Sequence, residues 1–132
     1  MKTTVLIEKD ENGFGLFTPD LTSTIIGEGK SVEDAKADFM NSYKEVIDSY
    51  IENGEAVPEE LIDLEFEYKY DVASVFNEFP FINATKLAEY LGISPGLMRH
   101  YKAGDTYISD AQAKRIEAGL HEFAARLLQV AL

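Results

Sequence analysis

No cysteine occurs in the 132 residues. Disulfide scaffolds, thiolate zinc sites and cysteine nucleophiles are excluded together, and the chain suits a reducing compartment. Long apolar runs are missing too: no stretch approaches the roughly 18 uninterrupted apolar residues that a membrane span needs. The opening Met1-Lys2-Thr3-Thr4-Val5-Leu6-Ile7-Glu8 turns charged after three apolar residues, too soon for a secretory signal. A soluble, cytoplasmic protein with no membrane partner is expected. There is no internal repeat, no low-complexity tract, no glycine-rich phosphate loop and no nucleophile motif. The two histidines, His100 and His121, have no third ligand at metal spacing, so neither a zinc site nor another cofactor is expected. Arginine is absent from residues 1–79, which hold six lysines against nineteen Asp and Glu, a net charge of −13.

What is present is unevenly placed. Residues 80–132 hold six Lys and Arg against five Asp and Glu, a net of +1, and all three arginines, Arg99, Arg115 and Arg126. An asymmetry of this size points to two halves with different partners. The acidic half repels DNA and suits a basic protein; the near-neutral half can touch phosphates where its cations cluster. A purely solubilising role for the acids is the alternative. The apolar content of 45% is ordinary for a packed core, and the length allows one ordinary domain or two very small ones.

Along the chain, residues 3–8 and 14–18 read as two strands around the turn Lys9-Asp10-Glu11-Asn12-Gly13. Pro19-Asp20 ends the second, and Thr22 to Glu28 reads as a third. Ser31-Val32-Glu33-Asp34 resembles a capping box and opens the clearest helix. Its stripe is Val32, Ala35, Phe39, Tyr43, Val46, Ile47, Tyr50 and Ile51, and Asn53-Gly54 and Pro58 stop it. Ile62, Leu64, Phe66, Tyr68 and Tyr70 then alternate with Asp63, Glu65, Glu67 and Lys69, a half-buried strand with an acidic outer face. The order β-β-β-α-β predicts an antiparallel sheet with one helix packed on it, and the fold class α+β. Beyond Tyr70 everything reads as helix, with Asp71, Asn83, Ser94 and Ser109 as successive caps. The expected division is therefore 1–70, a sheet domain, and 71–132, an all-helical domain.

Residues 83–102 carry the strongest local pattern. Two short helices that cross steeply need a small residue where they touch, Ala88. The turn needs a residue that tolerates positive φ, Gly92, then an apolar plug, Ile93, and an N-cap, Ser94. Each requirement is met in register, which marks a helix-turn-helix whose second helix enters the DNA major groove; an ordinary helical hairpin is the alternative. With Met98 and Tyr101 facing inward, the DNA-facing set is Pro95, Gly96, Arg99, His100 and Lys102. Arg99 is the candidate for a bidentate guanine contact, with His100 secondary. Lys86, Lys102 and the cap amides near Asn83 and Ser94 serve phosphates. Pro95 and Gly96 stand where a base reader normally carries polar side chains, so recognition leans on DNA shape and on dimerisation. The last helix presents Ile116, Leu120, Phe123 and Leu127 on one face, either as core or as a dimer contact.

The strand followed by Asp10…Gly13, Pro19-Asp20-Leu21, Gly29 and Ser31-x-Glu33-Asp34-Ala35 resembles the HicB antitoxin family. The run Ile82-Asn83…Leu87-Ala88…Gly92-Ile93…Leu97-Met98-Arg99-x-Tyr101 through Arg115-Ile116-Glu117 is similar to the tail of members that end in a helix-turn-helix. The resemblance spans most of the chain. It implies a partial ribonuclease-H-like N-terminal domain and a lambda-repressor-like C-terminal one. It further implies neutralisation of a small basic HicA-type toxin that cleaves mRNA, and repression of the shared operon through operator DNA. The chain departs from the family in Thr22-Ser23-Thr24, which replaces a Pro-Gly-Cys-like run, and in Pro95-Gly96.

An enzyme is not expected. A magnesium nuclease needs converging carboxylates, whereas alternate residues on one strand face, such as Asp63, Glu65 and Glu67, stand about 6–7 Å apart in a row. That row is instead the suggested contact for a basic toxin. The rival reading is an orphan regulator or adaptor of the same architecture without a toxin partner. Self-association as a dimer or a higher even oligomer belongs to the main reading.

Overall fold

The first hairpin follows from its turn residues. The Asp10 carboxylate accepts the Asn12 N–H at 2.8 Å, and Gly13 adopts φ +142°, a value that side-chain-bearing residues avoid. β1 (Lys2–Asp10) and β2 (Gly13–Phe17) pair antiparallel across it, and β3 (Ile26–Gly29) pairs antiparallel with β2. In the computed structural model, which describes residues 1–106 and 108–132, α1 (Val32–Glu52) follows, then β4 (Glu65–Tyr70). The helices α2 (Val72–Glu78), α3 (Ala84–Leu91), α4 (Pro95–Ala103) and α5 (Asp110–Leu127) complete a mixed α+β chain.

The sheet is mixed, not antiparallel as the element order predicted. Its strand order is β3-β2-β1-β4, and β4 lies parallel to β1, with Lys2 beside Glu65 and Ile7 beside Tyr70. The reason is the length of the connection: α1 and the segment after it are long enough for the crossover that parallel pairing requires. Both later strands are shorter than the apolar pattern suggests. The third begins at Ile26, because Thr18 first closes the preceding loop, its Oγ1 accepting the Ile25 N–H at 2.9 Å. The fourth begins at Glu65, because Glu59–Leu61 forms a 3-10 turn whose Leu61 is buried and whose Leu61 carbonyl accepts the Tyr43 hydroxyl at 2.6 Å.

Ser31 caps α1 through the Asp34 N–H, as its sequence predicts. The helix covers one face of the sheet, and Val5, Ile7, Leu16, Ile25, Ala35, Phe39 and Leu61 form the core. Phe39 is the centre, edge-on to Phe66 at 4.9 Å and to Tyr68 at 6.4 Å. Helix and sheet meet tightly at Gly27, where a Cβ would fall 2.5 Å from the Phe39 backbone nitrogen.

The chain divides into two compact units, Met1–Asn77 and Glu78–Leu132. This boundary lies beyond the expected 70/71 because the start of α2 is tied to the sheet. The Asp71 N–H donates to the Ile7 carbonyl at 3.1 Å, and the buried Ser74 hydroxyl accepts the Lys9 N–H at 3.1 Å. In the second unit Asn83, Ser94 and Ser109 cap α3, α4 and α5 through the N–H groups of Lys86, Leu97 and Gln112. Ala88, Ile93, Met98, Tyr101 and Ile116 are buried. At Gly119, α5 approaches α3 so closely that a Cβ would overlap the Leu91 side chain. Among the described residues no helix is long and apolar enough to cross a membrane.

Candidate functional site

α3 and α4 meet around a turn made by Gly92 at φ +69°, whose carbonyl accepts from the Arg115 guanidinium of α5 at 3.1 Å. The Ile93 N–H returns to the Ala88 carbonyl at 2.9 Å, which fixes the angle between the helices. Pro95 occupies the first turn of α4, where its missing N–H costs nothing. Arg99, His100 and Lys102 are exposed along the helix, and Pro95 and Gly96 are partly exposed at its start.

The cations do not act as one cluster. Arg99 reaches back to α3, its Nη1 donating to Thr85 Oγ1 at 3.3 Å. A Cβ at Gly96 would stand 3.7 Å from Arg99 Nη2, in ordinary contact, so Gly96 leaves the guanidinium uncrowded. Arg99 and Lys102 line a groove of about 580 Å³ with Asn83, Thr85, Phe81 and neighbouring backbone. His100 turns elsewhere, with Nδ1 3.5 Å from the Asp105 carboxylate. Lys86 is outside the groove and sits 3.7 Å from Glu89. The Ser94 hydroxyl is engaged as the cap of α4. Thr85 and Phe81 were not legible in the sequence. Phe81 is 82% exposed and edge-on to Phe79 at 6.2 Å.

Of the four residues expected on the last helix's apolar face, Ile116 is 4% exposed, so it belongs to the core and is withdrawn from any dimer contact. Leu120 is half-buried, while Phe123 and Leu127 are exposed. Phe123 stands edge-on to Tyr90 at 6.3 Å, and the Tyr90 hydroxyl accepts from Arg126 at 3.5 Å. Every residue from His121 to Leu132 is exposed.

In the first unit, Glu65 and Glu67 lie on the exposed face of β4, but Asp63 does not share it. Asp63 precedes the strand at φ +52°, and its carbonyl accepts from the N-terminal amine at 3.4 Å. The expected three-carboxylate row is thus a pair, because the strand starts at Glu65, three residues later than its alternation from Ile62 suggests. A second acidic set, missed in the sequence, lines a groove of about 380 Å³: Glu8, Asp10 and Glu28, with Phe17 and Ile26. Burial raises the Glu8 carboxyl above its ordinary value of 4.5, and the negative charges of Asp71 and Asp10 add to the effect. Glu28 is distant in sequence from Glu8 and Asp10, and only strand register brings it beside them.

Among the described residues no group of three or more His, Asp or Glu is placed to hold a metal ion. Comparison with protein-family models, with curated proteins and with solved structures returns no match to this chain.

Proposed function

We propose that this chain is a HicB-type antitoxin that neutralises a small basic HicA-type toxin and represses its own operon by binding operator DNA. The observation that carries the reading is the coincidence of charge with architecture. Residues 1–77 hold six Lys against eighteen Asp and Glu, a net of −12, and residues 78–132 hold six cations against six acids, a net of zero. The whole negative excess therefore sits on the sheet unit, and every arginine sits on the helical one. A partner that is itself basic is drawn to the first and not to the second.

In this reading the first unit is a partial ribonuclease-H-like domain that covers the toxin's RNA-binding face. The second is a lambda-repressor-like helix-turn-helix, with α3 crossing the backbone and α4 in the major groove. Support comes from the capped pair α3 and α4, the glycine turn between them and the exposure of Arg99, His100 and Lys102. The Arg99–Thr85 bond and the groove shared with Lys102 favour Arg99 as a bridge between phosphate and base edge. With so few phosphate contacts, one copy binds weakly at cellular salt, so two copies pair through Phe123 and Leu127 and occupy successive half-sites.

The test is co-purification with the product of the neighbouring small basic gene, followed by titration of the complex onto upstream DNA. A stable complex that no longer cleaves RNA and retards the DNA supports the reading. DNA binding without a toxin partner would make the chain an orphan regulator. Arg99→Ala is expected to weaken operator binding by about 1–3 kcal/mol, roughly ten- to hundredfold, measured by fluorescence anisotropy; unchanged affinity removes α4 from the groove.

A further inference from the structure

The sheet has one face under α1 and one opposite it. On β1, Thr3, Val5 and Ile7 are buried on the helix side, so Leu6 and Glu8 point to the other. On β3, Gly27 abuts Phe39, so Ile26 and Glu28 share the face of Leu6 and Glu8. The registers then set two rows across three strands. One is Leu6–Phe17–Ile26, an apolar ledge on which Ile26 is 65% exposed. The next is Glu8–Gly15–Glu28, two carboxylates on either side of a glycine. A Cβ on Gly15 would meet nothing within 4 Å, so the space between the two acids is open. Strands lie about 4.8 Å apart, which sets Glu8 and Glu28 about 10 Å apart at their backbones, within reach of one ammonium or guanidinium group seated between them.

We propose that this face is the docking surface for a cationic, partly apolar segment of a basic protein, whose apolar side chains lie along Leu6, Phe17 and Ile26 and whose basic side chain enters the notch at Gly15 between Glu8 and Glu28. The proposal rests on the antitoxin reading for the partner's identity, but its chemistry is read from the rows alone. Asp10 lines the same groove and extends the negative field, and no cation is among the described residues that line it. The Glu65–Glu67 pair offers less, because register sets Lys2 directly beside Glu65 on that same face. That lysine offsets the field at β4, whereas the register partners Glu8, Gly15 and Glu28 include no cation.

Recognition is by side chains on the face and not by strand addition at β3. The Glu28 N–H, which an added strand would need, already donates to the Asp38 carboxylate of α1 at 2.9 Å.

The test uses the full chain, isotopically labelled for amide NMR, and a capped hexapeptide of alternating leucine and arginine as the probe. Shifts are expected at Leu6, Gly15, Phe17, Ile26 and Glu28. The double variant Glu8→Gln/Glu28→Gln is expected to bind the probe about tenfold more weakly, and Glu65→Gln/Glu67→Gln within about twofold of the original. Gly15→Val, which fills the notch in open space, is expected to reduce binding while leaving the amide spectrum of the α1 core unchanged. Shifts centred on β4, equal affinity for the Glu8/Glu28 variant, or no binding would each overturn the proposal. Its failure is separable from failure of the antitoxin reading. That reading falls if no complex forms with the neighbouring basic protein, and this surface falls if a complex forms whose affinity is indifferent to Glu8 and Glu28.

Discussion

The two units bury their apolar residues by different means. The first relies on distance in sequence: β1 pairs with β4 more than sixty residues away, and Phe39 of α1 meets Phe66 of β4 from well outside the helix's own turn. The second relies on neighbours. Each of its capped helices starts on a side chain that accepts an N–H three residues ahead, and its turns close on Gly92 and Gly104 with positive φ. The first unit's core is thus assembled by distant pairings, while the second adds three caps and two glycine turns that each close within a few residues. The charge division follows the same line, with the whole negative excess on the first unit and every arginine on the second.

The comparison is broken most severely at Phe39. It is fully buried and central, and Phe39→Ala is expected to cost about 3–5 kcal/mol. A unit of this size commonly has a total stability of about 4–11 kcal/mol, so much of the margin is lost. Denaturant titration followed by amide signals from both units checks this: sheet residues should unfold at markedly lower denaturant, and α3–α5 residues should keep their midpoint. If both sets shift together, the division of stability is wrong.

A matched pair of glycines sharpens it. Gly54 and Gly92 have nearly the same positive φ, 68° and 69°. Each change to alanine carries the left-handed backbone cost of about 1–2 kcal/mol. At Gly54 a Cβ meets nothing within 4 Å, whereas at Gly92 it stands 3.0 Å from Arg115 Nη2, whose hydrogen bond holds the turn. Gly92→Ala should therefore destabilise its unit more than Gly54→Ala does its own, and Arg115→Ala should remove most of the difference. Equal costs would mean that the turn is held by backbone conformation alone.

The same contrast decides what was legible beforehand. The caps at Ser31, Asn83, Ser94 and Ser109, the turn at Gly92 and the stop at Asn53-Gly54 could all be read, because each depends on residues within four of one another. The parallel placement of β4 could not, since alternation shows which face is buried but not which strand lies alongside. The candidate site divides in the same way. The order of cations on α4 was visible, but the Arg99–Thr85 bond, the burial of Ile116 and the left-handed Asp63 depend on packing between elements. The Glu8–Gly15–Glu28 row is the extreme case, for its three members come from three strands.

The smallest effect expected is also specific to that row. Burial first, then Asp71 and Asp10, raise the Glu8 carboxyl in the folded chain above its ordinary 4.5. The folded state therefore holds the proton more tightly than the unfolded one, and this contribution to stability is present below pH 4.5 and is lost as pH rises through the raised value. Glu8→Gln removes the titration and the charge together. Other carboxylates titrate in the same range, so the quantity to read is the variant's stability minus the original's, from denaturant titrations at a series of pH values between 4 and 8. That difference should grow in the variant's favour as pH rises, then level off. A bound cationic segment supplies the charge that Glu8 lacks, so with the leucine–arginine peptide present the trend should flatten or reverse. A difference that stays constant with pH would mean that solvent already satisfies the Glu8 carboxylate, and the notch would then offer a cation no more than any exposed acid does.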